Sequence, residues 1–245
     1  FGNIKLTDTI QEIIITGSKG VHHRFEKTTL ITGNPRAVKA LDGDSLFIKA
    51  GTFYDKLDTA TQKRTLAAFQ NARIYKPDIQ GVGDSLSYSL TDSIIKLFDD
   101  PVLWNENNQT TGDTIFIYQK KRGVDKMEVF QNAMVIMEEA PEKYNQIKGK
   151  RLKGQFYQNK LRKVYVNGNG QSVYYAKEDS SNYTGVNYIE CARMVIDVDS
   201  NKVKKVTFLV TPKGTFYPVD KFPEEQKKLR GFNWIPERRP MRKDF

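Results

Sequence analysis

Apolar and polar residues alternate with period two along most of this chain. Leu86, Tyr88 and Leu90 fall on one parity, and Ser85, Ser87 and Ser89 on the other. That is the pattern of a strand with one face in a core. Ile95 and Leu97 share the parity of Leu103, and Ala133, Val135 and Met137 keep that register further on. Helical periodicity is weak. Residues 58–68 read as a hairpin turn entering a strand, and residues 138–144 as a longer connection. Residues 223–229 make the best short helix, with Pro near the start and Glu in the first turn.

The alternation is punctuated by a repeated corner. It reads Phe1-Gly2-Asn3, Thr32-Gly33-Asn34, Phe69-Gln70-Asn71, Phe98-Asp99-Asp100 and Phe130-Gln131-Asn132, each followed by small or apolar residues, with a weaker copy at Gly168-Asn169-Gly170. A second pattern lies between copies: Gly43-Asp44-Ser45-Leu46, Gly83-Asp84-Ser85-Leu86 and Gly112-Asp113-Thr114-Ile115, with a degraded copy at Gly149. Gly and Asn tolerate the positive φ that a sharp bend needs. Each repeat therefore holds two strands joined at polar corners. Asp44, Asp84 and Asp113 read as Asx-type corner residues, because a catalytic carboxylate is not expected once per repeat.

Beyond about residue 179 the repeat fades. Residues 188–210 read as a hairpin turning at 197–201, with a further turn at Lys213-Gly214 before Phe216-Tyr217-Pro218. The tail from Arg230 is basic and Pro-rich. The division expected is 1–178 for the repeats and 179–245 for a C-terminal β-hairpin cap and tail, since stacked repeats need capping.

Composition narrows the function. The 245 residues are 38% hydrophobic and 28% charged, which suits a thin, extended architecture. The net charge of +10 calls for an acidic partner. No nucleic-acid-binding motif is present, so no nucleic acid is expected. No apolar run is long enough for a membrane helix, so contact with a membrane would be peripheral. A single Cys191 allows no internal disulfide.

The Gly-Asn corners alternating with Gly-Asp-Ser-Leu strands resemble the OstA-like family of lipopolysaccharide-transport proteins. Its members include LptA, LptC and the periplasmic domain of LptD. The stretch from Gly83-Asp84-Ser85-Leu86-Ser87-Tyr88 through Asp100-Pro101-Val102-Leu103-Trp104 to Gly112-Asp113 is the most family-like. The resemblance covers residues 1–175 as repeats and the Gly231-Phe232-Asn233-Trp234 region more loosely. It implies an all-β, elongated, repeat-built β-jellyroll, two antiparallel sheets opened as a V, here with a C-terminal hairpin extension. It also implies a periplasmic protein associated with the outer membrane, non-catalytic and without a cofactor. Its partners would be lipopolysaccharide or lipid A, and other Lpt-type β-jellyroll proteins joined by edge-strand pairing.

On the register above, the wall of an apolar trough would be Leu46, Ile48, Ile74, Leu86, Ile95 and Leu97, continued by Leu103, Ile115, Ile117, Val129 and Val135, with Ala72 and Ala133 between them. The same alternation fits a closed sandwich whose core these side chains simply fill. Lys148, Lys150, Arg151 and Lys153 are candidates for an anionic head group. Lys120-Lys121-Arg122 and Lys160, Arg162 and Lys163 form further basic runs, and all of these also suit a solvated strand face. His22 and His23 point to opposite sides of a strand and are not expected to chelate one metal ion. A β-helix enzyme or an adhesion module acting on acidic polysaccharide remains the alternative.

Overall fold

The computed structural model describes residues 3–41, 43–120, 123–158, 160–178, 182–199 and 202–245. Phe1, Gly2, Lys121 and Arg122 lie outside the described residues. The described residues form nineteen strands and four single-turn 3-10 helices. Every strand pair is antiparallel, and consecutive strands pair as hairpins or continue through a bend.

The strands make two sheets. Sheet I begins with β1 (Ile4–Asp8), β2 (Ile13–Gly17), β5 (Arg36–Leu41) and β6 (Asp44–Lys49). Sheet II begins with β3 (Lys19–His23), β4 (Thr28–Thr32) and β7 (Thr52–Asp58). Next come β8 (Lys63–Lys76) and β9 (Ile79–Ser89), long enough to cross from one sheet to the other. Sheet I continues with β11 (Val102–Asn105) and β12 (Asn108–Thr111), and sheet II with β10 (Ile94–Phe98) and β13 (Thr114–Lys120). Four more crossing strands follow: β14 (Gly123–Ala140), β15 (Lys143–Tyr157), β16 (Lys160–Lys177) and β17 (Tyr183–Asp199). Sheet II ends on β18 (Lys202–Leu209) and sheet I on β19 (Lys213–Tyr217). All crossings fall on one side, so the sheets meet along a seam. Among the described residues no strand pair joins them on the other side. This is the all-β, two-sheet V that the family resemblance implies.

The seam explains the repeat. Gly33-Asn34, Gln70-Asn71, Asp99-Asp100, Gln131-Asn132 and Gly168-Asn169 all have positive φ, two left-handed residues in succession. Such a pair turns a strand sharply, and the β-ladder slips there, between Phe69 and Ala72 and between Phe130 and Ala133. The alternate strands cross the seam at Gly83-Asp84, Gly112-Asp113 and Gly149, packed beneath those corners. A Cβ on Gly83 would meet the Phe98 carbonyl oxygen at 2.8 Å, so the backbones approach too closely for any side chain.

Several sequence expectations change. Gly43-Asp44 is a hairpin turn at the far end from the seam, and Ala50-Gly51 makes the crossing in that repeat, with the Gly51 amide bonded to the Phe69 and Gln70 carbonyls. Residues 138–144 are not a long connection: β14 runs to Ala140 and β15 restarts at Lys143. Lys213-Gly214 opens β19, and the turn lies at Val210-Thr211, where both residues have positive φ. The helix at 223–229 shrinks to one 3-10 turn, Glu224–Gln226. Asx-type bonding occurs at Asp8 and Asp58, whose carboxylates accept from amides two and three residues on. Asp113 instead accepts from the Asn132 side chain.

The main core lies between the sheets, from Ile13 and Ile15 at one end to Met194 and Ile196 at the other. A second apolar layer covers the outer face of sheet I. There Met134, Ile136, Val173, Tyr175 and Val186 pack under Phe222 and Leu229, while Val82, Val102 and Trp104 pack against Ile235. These covering residues belong to 218–245, which run as a strap across sheet I. Three buried glutamines hold it. Gln146 donates to the Lys227 carbonyl (2.7 Å) and accepts from the Leu229 amide (2.8 Å). Gln109 does the same with Asn233 and Ile235, and Gln80 accepts from Arg239. Further along, Arg36 and Lys49 donate to the carbonyls of Phe245 and Asp244.

Candidate functional site

Two properties of the inter-sheet space matter: which side chains line it, and how closely they fill it. Ten of the eleven trough residues read from the sequence are at most 2% exposed, from Leu46 to Val129. All ten sit in the inter-sheet cluster, and Val135 packs against it half-buried. Alternation therefore brings them onto one shared inner surface, and there the sheets fill the space between them.

Beyond β13 the inner wall is mixed: Leu152, Val166 and Met194 are 1% exposed, while other inner side chains beside them are more accessible. Val124, Met127, Val135 and Ile147 are only partly buried, as are Leu161, Val198, Val206 and Phe208. Val135 lies opposite Ile147 across β14 and β15, so the two make one apolar step of sheet I. Phe208 lies opposite Met194 across β17 and β18, and Val206 opposite Ile196, on sheet II. Tyr174 and Phe216, each opposite Asn187 in the register of β16, β17 and β19, are 40% and 54% exposed. They lie on the parity opposite outward-facing Val186, which places them on the inner side of sheet I. Gly185 leaves room for the Phe216 ring, whose Cζ would stand 2.3 Å from an added Cβ. Partly buried inner residues occur at both ends, with Leu6 and Leu41 among the first strands, but the exposed inner aromatics Tyr174 and Phe216 belong to the last strands.

These accessible residues were missed in the sequence, apart from Val135. They fall where the Gly-Asp copies have degraded, and a partly exposed apolar residue has the same alternation as a buried one. Cys191 is buried on this inner side, and burial pushes its thiol pKa up, so it is held as a neutral packing group. The Tyr88 phenol is likewise pushed up by burial and bonds to Gln119 Oε1 at 2.9 Å. Tyr88 and Gln119 supply one polar contact at the edge of the apolar inner wall.

The four candidate head-group cations do not converge. The corner at Gly149 sends them in different directions. Lys148 lies on the outer face of sheet I and donates to the Arg230 carbonyl of the strap. Lys150 stands beside it at the seam. Arg151 is outward on sheet II, 3.1 Å from Glu128 and stacked on the Phe130 ring at 4.5 Å. Lys153, opposite Glu128 in the ladder, is on that same outer face. Of the other basic runs, Lys120, Arg162 and Lys163 are paired with Asp125, Asp199 and Asp197.

His22 bonds to Thr29 through Nδ1 (2.9 Å). Among the described residues no group of three or more His, Cys, Asp or Glu could hold a metal ion. No helix of the described residues is long and apolar enough to cross a membrane.

Comparison with known proteins bears on the first half of the chain. Residues 14–124 match the family model described as LptA/(LptD N-terminal domain) LPS transport protein. No curated protein sequence matches the chain. A solved structure similar to it is LptH, the LptA homologous periplasmic component of the conserved lipopolysaccharide transport device from Pseudomonas aeruginosa. The two are 16% identical with a TM-score of 0.43, over 57% of this chain and 95% of that one.

Proposed function

We propose, from the premise that over residues 14–124 this chain is a member of the LptA/LptD N-terminal-domain family of lipopolysaccharide-transport proteins, that it is a non-catalytic periplasmic carrier. It holds the acyl chains of lipopolysaccharide between its sheets and passes them toward the outer membrane. The observation that carries this reading is a shared apolar inner wall whose exposed members, Tyr174 and Phe216, and partly buried members such as Val206 and Phe208 gather in the last strands. Acyl chains gain about 0.8 kcal/mol per buried methylene, so a few exposed inner side chains suffice to recruit them. An open side lets a chain slide without threading a closed cavity. The filled section, from Leu46 to Val129, would accept ligand where the sheets part on the side away from the seam.

The ends of the sheets support association with sister domains. β3 is exposed along its whole length, and β18 and β19 end their sheets at the other extreme. Free strand edges of this kind can add a further strand from a partner.

The test is a titration of the full chain with lipid A, comparing the parent with Val206→Asp and Phe208→Asp. Both positions are partly exposed on the inner side, so a carboxylate there meets ligand without being forced into the packed core. Binding at least about tenfold weaker, with unchanged circular dichroism, is the expected result. Unchanged binding in both variants contradicts the reading.

A further inference from the structure

Where the strap passes the seam, a groove of about 1070 Å³ opens on the outside of the molecule. Lys148, Lys150, Lys213 and Arg230 line it. They come from β15, β19 and the strap, so the fold gathers cations that are far apart in sequence. Among the described residues, none of the four has a carboxylate within ion-pair distance, although Lys213 stands opposite Glu190 in the ladder and its charge helps lower the Glu190 pKa. The carboxylates on the same walls are already engaged. Asp100 pairs with Arg238 at 2.7 Å, Asp113 accepts from Asn132, and Glu190 accepts from Gln171 and Tyr188. Burial and the nearby Arg230 charge hold the Lys148 pKa below its usual value, as expected of cations crowded without an anion.

The rest of the lining is specific in kind. Asn169 and Asn233 supply amide groups, Asn132 and Gln171 line the groove with amides bonded to Asp113 and Glu190, and Thr111 and Thr211 supply hydroxyls. No aromatic side chain is among the lining residues, so there is no platform on which a nucleobase would stack. Four cations, none in a close ion pair, beside amides and hydroxyls match an anion carried on a polyhydroxylated framework.

We propose that this groove binds phosphate groups borne on a saccharide. The inference takes from the proposed function only the source of such a saccharide. The groove lies outside the inter-sheet space, so each can fail without the other.

The experiment is isothermal titration of the full chain with a bis-phosphorylated glucosamine disaccharide free of acyl chains. The same disaccharide after phosphatase treatment, and inorganic phosphate, are the comparison ligands. Lys150→Ala/Lys213→Ala removes two exposed groove cations. Lys5→Ala/Lys56→Ala removes the same charge from exposed positions elsewhere. The phosphorylated disaccharide is expected to bind, with Kd raised about tenfold in the groove variant and little changed in the control. Any of four results overturns the proposal: no binding of the phosphorylated disaccharide, equal weakening in the control variant, equal binding after phosphatase treatment, or equally tight binding of inorganic phosphate.

Discussion

Arg64 of β8 is bonded to Asp8 of β1, and this ion pair joins the two sheets on the side away from the seam. The same guanidinium holds Asp55 of β7 through two bonds of 2.8 and 2.9 Å. Asp8 and Asp55 continue the inward parities of Leu6 and Phe53, so the triad closes the first end of the V at its rim. Among the described residues no comparable tie is found near β17 and β18, where Arg162 and Lys163 bond to Asp199 and Asp197 within sheet II. The filled end and the accessible end thus differ in whether a charge bridges the opening.

Asp8→Asn is expected to loosen that end. A half-buried guanidinium losing one carboxylate costs about 1–3 kcal/mol. Hydrogen exchange should show reduced protection in β1 and β2, with β15 to β17 unchanged. Equal loss of protection everywhere would mean that the pair supports the whole fold and not the rim.

The same tie should fail in acid. Burial opposes ionisation of Asp8, but the Gln11 and Ile10 amides and the Arg64 charge outweigh it and hold the carboxyl below the usual range. A lowered carboxylate pKa stabilises the fold above the unfolded value of about 3.9, and that contribution disappears as pH falls through the folded pKa. The stability difference between parent and Asp8→Asn should be full at neutral pH, shrink as pH falls below about 3.9, and vanish once Asp8 is protonated in the folded state. A difference that persists there contradicts the assignment.

Seam geometry predicts opposite outcomes at two kinds of corner. Gly83→Ala places a methyl group against the Phe98 carbonyl and should cost about 1–3 kcal/mol. Val210→Gly relieves left-handed strain of about 1–2 kcal/mol at φ 64° and adds about 0.5–1 kcal/mol of chain entropy to the unfolded state, so a small net stabilisation is expected. Thermal or denaturant unfolding measures both.

These corners also show what the sequence made legible. Gly-Asn, Gln-Asn and Asp-Asp pairs announced five left-handed corners, because those residues tolerate positive φ. Val210-Thr211 does the same job with residues that disfavour it, so that turn was placed at Lys213-Gly214. The inner face was readable because alternation is a direct image of one-sided burial. The strap was not, since Phe222, Leu229, Phe232 and Ile235 follow no period. One signal for it was present: Met134 and Ile136 alternate with Ala133 and Val135, and Val173 and Tyr175 are apolar on the outer parity. Strands apolar on both parities are covered on both faces. The basic run 148–153 looked like one patch only because the bend at Gly149 is invisible in a linear count of charges.

Gln109 is the centre of the strap's attachment. Its side chain is fully buried and satisfies the Asn233 carbonyl and the Ile235 amide together. Gln109→Ala leaves both unpaired under a buried segment and should cost about 1–3 kcal/mol. Limited proteolysis should then cut between residues 226 and 240, sites protected in the parent. A cleavage pattern identical to the parent's contradicts the attachment.

The central claim is that acyl chains lie between the sheets, against the accessible inner wall. Site-specific photocrosslinking to lipopolysaccharide tests it most directly, with a benzophenone side chain placed at Phe208 or Tyr174 on the inner side and at Tyr165 on the outer side of β16. Crosslinks at 208 and 174 without one at 165 are the predicted result. Crosslinking at 165 alone, or equally at all three, would contradict the account.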